Sequence, residues 1–183
     1  MNAIEVNGIS KQYKDFLLDN VSFSLPMGTI LGLVGENGAG KSTTIKLIMN
    51  AIARDSGSIH VLGEENTSPA FHSVKEDIGV VLDEAYFPEV LTAKQVGSVM
   101  KQTYRRWESE TYQRYLKMLD IPMSKPFRDF SRGMKMKFAI AVALSHQPKL
   151  LILDEATSGL DPMVRDEILT LFNDFTRDEE HSI

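Results

Sequence analysis

Nine consecutive residues, Gly35-Glu36-Asn37-Gly38-Ala39-Gly40-Lys41-Ser42-Thr43, have the types and spacing of a phosphate-binding loop, G-x-x-x-x-G-K-[ST]. Each type has a reason. Glycines at 35, 38 and 40 allow positive φ and let backbone N–H groups close around phosphate oxygens, with Asn37, Ala39 and Thr43 completing the cradle. The positive end of a helix starting near Lys41 favours the same anion. Lys41 is expected to reach the β- and γ-phosphates, and the Ser42 hydroxyl to ligate Mg²⁺. The plain alternative is a glycine-rich turn that only starts a helix. Against it stand the apolar run Thr29-Ile30-Leu31-Gly32-Leu33-Val34 before the loop and Thr44-Ile45-Lys46-Leu47-Ile48-Met49 after it, which supply the strand and helix that binding requires.

A second set of chemical groups lies far downstream. Leu150-Leu151-Ile152-Leu153 is a continuous apolar run ending in Asp154-Glu155, the pattern of a buried parallel strand that delivers carboxylates at its C-terminal edge. Asp154 can hold the Mg²⁺ water shell while Ser42 ligates the ion directly. Glu155, directed the other way by strand alternation, can polarise an attacking water. Alone, two acids after a strand read as a cap for the next element. Together with a complete phosphate loop they read as the second half of a nucleotide site.

The elements that must position these groups follow from periodicity. Residues 3–9 and 20–25 alternate (Ile4, Val6; Val21, Phe23, Leu25) as half-buried strands do. Between them Lys11-Gln12-Tyr13-Lys14-Asp15-Phe16 sets an aromatic in a polar turn, where a tyrosine most often only caps a strand end. The loop helix is expected to run to about Ala53, followed by a turn at Asp55-Ser56-Gly57 and a strand over 58–62, with His60 on its solvent face. A short helix near 70–76 precedes the strand Ile78–Leu82, and Asp83-Glu84 follow at once. From Thr92, a plausible N-cap, to about Leu144 helical spacing replaces strand signals, and its aromatics read as core. Phe130-Ser131-Arg132-Gly133-Met134-Lys135 opens the last helix of this stretch. Ser158-Gly159-Leu160-Asp161-Pro162 is a turn before an amphipathic helix over Met163–Arg177.

At 183 residues and 43% hydrophobic content, the chain has the size of one domain with a substantial core. Its net charge of −5 argues against nucleic acid as a partner, because phosphate backbones need a basic face. Zero cysteines exclude disulfides and thiolate metal sites and suit a reducing cytoplasm. No apolar run is long enough to span a bilayer, so membrane association is expected through a partner.

With these motifs in this order, the sequence resembles the ATP-binding subunit of an ABC transporter over nearly its whole length. Residues 35–43 match Walker A, Leu150–Glu155 match Walker B, Ser131 and Gly133 match the serine and second glycine of the signature, and residues 158–161 match the D-loop. The resemblance implies an α/β P-loop NTPase with ATP and Mg²⁺ as ligands. Its RecA-like core sheet and antiparallel β subdomain would come from 1–91 and 147–183, and its helical signature subdomain from 92–146. It implies that Tyr13 stacks on adenine. It implies head-to-tail pairing in a homodimer or heterodimer, where Ser131, Gly133 and Asp161 serve the composite nucleotide sites. It also implies a membrane permease as partner and a place on the cytoplasmic face of the membrane.

Three departures qualify the match. The signature reads Phe-Ser-Arg-Gly-Met rather than Leu-Ser-Gly-Gly-Gln, resembling bacterial exporters of the ABC-2 type. Asp83-Glu84 stand where many members have a glutamine; an acid there can accept a proton from a metal-bound water, which makes Asp83 a candidate at the metal. The family's γ-phosphate histidine lies beyond the next strand, and His181 precedes that strand. In the related fold that strand, starting near Ser182-Ile183, lies between those of Walker A and Walker B. Residues 1–183 are therefore expected to be a fragment, C-terminally incomplete and nearly inactive alone. The leading reading is a transport motor with a separate permease. The alternatives are a soluble ABC-type ATPase acting on ribosome or DNA, which would usually carry tandem units, coiled-coil insertions or basic arms, and a nucleotide-binding regulator without turnover, against which Glu155 argues.

Overall fold

The computed structural model describes residues 1–82, 87–156 and 160–183. The chain forms two compact units, Met1–Lys75 with Thr176–Ile183, and Glu76–Phe175.

The first unit is built on an antiparallel sheet of order β2-β1-β3-β4, with β1 Asn2–Gln12, β2 Leu17–Pro26, β3 Ser56–Val61 and β4 Glu64–Glu65. Alternation sets its register: Val6 lies opposite Phe23 on one side and Ile59 on the other, and Ala3, Ile4, Val6, Ile9, Ile59 and Val61 are buried. The phosphate loop leads into α1, Lys41–Ile48, whose Thr44, Ile45, Leu47 and Ile48 are buried. This helix stops short of Ala53. Asn50 takes a left-handed φ of 50°, and the buried Asn66 amide donates to the carbonyls of Leu47 and Ile48, satisfying the helix's last acceptors. Arg54 steadies Asn66 in turn, donating to its carbonyl oxygen and pairing with Glu65 at 2.7 Å. His60 does not stand free on a solvent face: it is half-buried, with Glu5 and Glu65 opposite it on the two neighbouring strands.

The run 29–34 is not the buried strand its composition suggests. Among the described residues no sheet ladder includes it, and Ile30, Leu31, Leu33 and Val34 are exposed. A buried parallel strand needs neighbours on both edges. Here Leu31 N–H donates to the Ile183 carbonyl at 2.8 Å and Ile183 N–H to Thr29 at 3.1 Å, while Ser182 Oγ accepts from Gly28 N–H.

In the second unit β5, Ile78–Val81, pairs in parallel with β6, Leu150–Leu153, residue for residue from Ile78↔Leu150 to Val81↔Leu153. Four helices accompany them: α3 Ala93–Thr103, α4 Ser109–Met118, α5 Arg132–Leu144 and α6 Pro162–Phe175. A four-residue helix in the first unit, Phe71–Val74 (α2), precedes β5. Thr92 caps α3 in a reciprocal capping box with Gln95, as its type predicts. The core gathers around Phe138, which is fully buried among Phe87, Phe127, Phe130 and Tyr112. Tyr112 donates its hydroxyl to the Ala93 carbonyl, and its ring fills the space beside Gly97, where a Cβ would lie 2.5 Å away. Burial pushes the Tyr112 phenol above its usual range. Tyr112 on α4 and Phe138 on α5 are core, as their helical spacing indicates.

Candidate nucleotide site

The phosphate loop is shaped by two left-handed glycines. Gly38 has φ 85° and Gly40, the N-cap of α1, φ 98°. Gly35 is different: its φ lies outside the left-handed region, and its need is space, since a Cβ would sit 3.1 Å from that of Ala39. Ala39 N–H donates to the Glu36 carbonyl at 3.1 Å, tightening the turn. Lys41 crosses the loop and donates to the carbonyls of Gly35 at 2.8 Å and Glu36 at 3.0 Å. Its ammonium is therefore held at the mouth of the loop by groups that phosphate oxygens can replace. Ser42 is exposed on the first turn of α1, and Thr43 is half-buried beside it.

Tyr13 belongs to the same unit. It is 43% exposed, in the turn between β1 and β2, with its ring 6.4 Å from that of Phe16. Asp55 anchors the turn: its carboxylate accepts from Gln12 N–H at 2.7 Å and pairs with Lys11 at 2.8 Å. The Gln12 N–H and then Lys11 hold the Asp55 carboxyl below its ordinary range.

The second unit carries the acids and the signature. Asp154 follows β6 directly, and its N–H donates to the Val81 carbonyl at 2.9 Å, so β5 and β6 end side by side. Glu155 is exposed with φ 51°. Its direction is thus set by a left-handed turn beyond the strand and not by strand alternation, a conformation that costs a non-glycine residue about 1 kcal/mol or more. Asp83 lies outside the described residues, as do Ser158 and Gly159 of the D-loop. Asp161 caps α6, its carboxylate accepting from Met163 N–H at 2.9 Å.

Ser131 is the N-cap of α5, accepting from Met134 N–H at 3.2 Å. Ser131 is exposed and Gly133 half-buried on a cleft of about 390 Å³ that Met134, Lys137, Asp120 and Val164 also line. Lys137 pairs with Glu167 at 2.5 Å, tying α5 to α6 one turn beyond the point where Gly133 faces Val164.

Sequence reasoning passed over two supports, Phe16 against the phosphate loop and the Lys137–Glu167 tie. Phe16 had a signal, an apolar ring in a polar turn three residues from Tyr13; the ion pair had none.

Residues 18–158 match the sequence pattern of the ABC transporter family. The linearmycin resistance ATP-binding protein of Bacillus subtilis is 36% identical over 91% of this chain and 55% of its own length. The Nod factor export ATP-binding protein I of Sinorhizobium fredii is 36% identical over 89% of this chain and 49% of its own. The bacitracin transport ATP-binding protein of Enterococcus faecalis is 29% identical over 99% and 59%. The chain thus spans about half to three-fifths of the length of these relatives. Among solved structures, the ATP-binding subunit of an ABC transporter matches with a TM-score of 0.81 at 28% identity, over 96% of this chain and 75% of that one. A dimeric ATP-binding cassette bound to ADP and Pi gives 0.83 at 22% identity, over 98% and 85% of the two chains, a likeness of fold alone.

Proposed function

The chain belongs to the ABC transporter family, with the P-loop NTPase fold, and on that footing we propose that it is the ATP-binding and ATP-hydrolysing subunit driving export through a separate membrane permease. The observation that carries this reading is the loop itself: left-handed Gly38 and Gly40 at the head of α1, with Lys41 drawn across the loop mouth.

The α1 N-terminus and the loop N–H groups bind the triphosphate, with Lys41 turned onto its β- and γ-oxygens. Tyr13 offers its exposed ring to the adenine. Ser42 and Asp154 fit Mg²⁺ by their chemistry, since a hydroxyl and a carboxylate are the hard oxygen donors this ion takes. The chemistry such donors would bring, through a held Mg²⁺, is charge neutralisation at the phosphate oxygens. Asp83 is proposed at the edge of that same metal site. Glu155 takes a proton from the water that attacks the γ-phosphorus; the bond to the β–γ bridging oxygen breaks, leaving ADP and phosphate. Ser131 and Gly133, at the exposed start of α5, approach the nucleotide of a second ATP-binding subunit, and Asp161 lies in the same pairing surface.

Closure of the pair on ATP and reopening after hydrolysis would give the permease its stroke, because contacts to the γ-phosphate exist in only one of the two states. Among the described residues no helix is long and apolar enough to cross a membrane. Attachment to the cytoplasmic face is accordingly proposed to run through the permease. Export is favoured by the relatives named for resistance and export. The test is nucleotide titration: Lys41→Ala should lose most of its Mg²⁺-ATP affinity, and unchanged affinity would remove the basis for the site.

A further inference from the structure

Gly40 is the residue on which the phosphate loop turns into α1: its carbonyl accepts from Thr44 N–H at 2.8 Å and Thr44 Oγ1 at 3.0 Å, no side chain caps the helix at its N-terminus, and its φ of 98° is one few residues adopt. On its Cα side it is held by packing from the β1–β2 hairpin. A Cβ built on Gly40 would lie 2.9 Å from Phe16 Cζ and 3.0 Å from Leu18 Cδ1. The tip of the Phe16 ring therefore rests directly on the backbone of Gly40. Phe16 is itself fixed through its main chain, its carbonyl accepting from Tyr13 N–H at 2.8 Å, in a turn that Asp55 anchors through Gln12 and Lys11.

We propose that Phe16 is a positioning residue for the triphosphate, acting through Gly40 to hold the phosphate loop in its binding shape. The inference rests on the phosphate-loop reading of residues 35–43. Phe16 and Tyr13 come from one turn but divide the work. Tyr13 offers an exposed ring to a base, whereas Phe16 turns its ring tip to the backbone of the loop. The loop's N–H groups bind phosphate only when all point inward, so a loop free to shift at Gly40 loses affinity for the phosphates themselves. Phe16 is half-buried where Leu18 is 6% exposed, so truncating Phe16 opens space over Gly40 with little loss to the core.

The distinction between shaping the loop and touching the base is measurable with a ligand that has no base. In the full-length chain, affinities for Mg²⁺-ATP and for inorganic tripolyphosphate are compared by calorimetry in wild type, Phe16→Ala, Phe16→Leu, Tyr13→Ala and Lys41→Ala. Phe16→Ala should weaken both ligands by the same factor, about tenfold, the lower end of what removing an outer support of a binding group costs. Phe16→Leu, which keeps an apolar group over Gly40, should fall between Phe16→Ala and wild type for both ligands, and it carries the test should the alanine variant fold poorly. Tyr13→Ala should weaken ATP alone. Loss of ATP affinity in Phe16→Ala with tripolyphosphate unchanged would make the ring a wall for the base and overturn the proposal, as would no change in either. Tripolyphosphate binding unaffected in Lys41→Ala would instead remove the phosphate-loop reading, and this proposal with it.

Discussion

Replacing Phe138 by alanine should unfold the second unit's core more than any other single truncation near the signature. The side chain is fully buried and meets four rings, with centroids 4.9 Å away for Phe87, 5.6 Å for Phe130, 5.8 Å for Phe127 and 6.4 Å for Tyr112. A buried Phe→Ala costs about 3–5 kcal/mol through lost transfer energy and an unfilled cavity. Ring–ring contacts add about 0.5–1.5 kcal/mol per pair beyond area, which places this site near the top of that range, about 5 kcal/mol. For a chain of this size that lowers the melting temperature by roughly 10–20 °C. The protein's single tryptophan, Trp107, sits in the same unit with its ring 5.0 Å from Tyr112, so its fluorescence follows this core and not the other unit. Urea titration read at Trp107 is the assay, with Phe138→Leu as the volume-sparing control. A loss below about 1.5 kcal/mol, the ceiling for well-tolerated apolar swaps, would refute the claim that these rings form the keystone behind α5.

Two further expectations follow. His146 is buried, stacked on Tyr104 at 4.1 Å, and donates from Nε2 to the Ile78 carbonyl while Nδ1 has no hydrogen-bond partner among the described residues. Burial lowers its pKa below the ordinary 6.5, with Arg106 adding to the effect and the carbonyls of Ile78 and Val142 and the carboxylate of Glu76 opposing it. The unfolded chain then binds the proton more readily, so this contribution to stability is full above about pH 6.5 and declines as pH falls below it toward the lowered value. Urea midpoints between pH 5 and 7 should show the slope in wild type, reduced in His146→Gln; equal slopes would contradict it. Separately, Glu155→Gln in the full-length chain should bind ATP and persist as a dimer in size-exclusion chromatography, and a monomer hydrolysing at the normal rate would dismiss Glu155 as the base.

Much of this was legible in the residues because the physics behind it is local. The left-handed turns at Gly38 and Gly40 are what glycine permits, Thr92 with Gln95 is a capping box that can be read as letters, and Leu150–Leu153 is apolar on both faces because a parallel strand is covered on both. What escaped the sequence depends on partners distant in the chain. Asn66, directly after β4, ends α1, and nothing in residues 49–53 announces it. The left-handed turn at Glu155 places a glutamate where glycine or asparagine would be expected, so pattern reasoning extended the strand's alternation one residue too far.

The run 29–34 is the clearest case. Its composition is that of an interior strand, yet composition only states what the segment can bury, and pairing decides whether it is buried. Among the described residues its backbone is met by Ile183, through two bonds of parallel geometry at Thr29 and Leu31. Beyond it Leu33 and Val34 lie exposed, immediately before the loop whose glycines nevertheless take their left-handed turns. The loop is supported from the α1 side, by the helix behind Gly40 and by Phe16 and Leu18 resting on it, and its glycine turns are what make a phosphate cradle recognisable here.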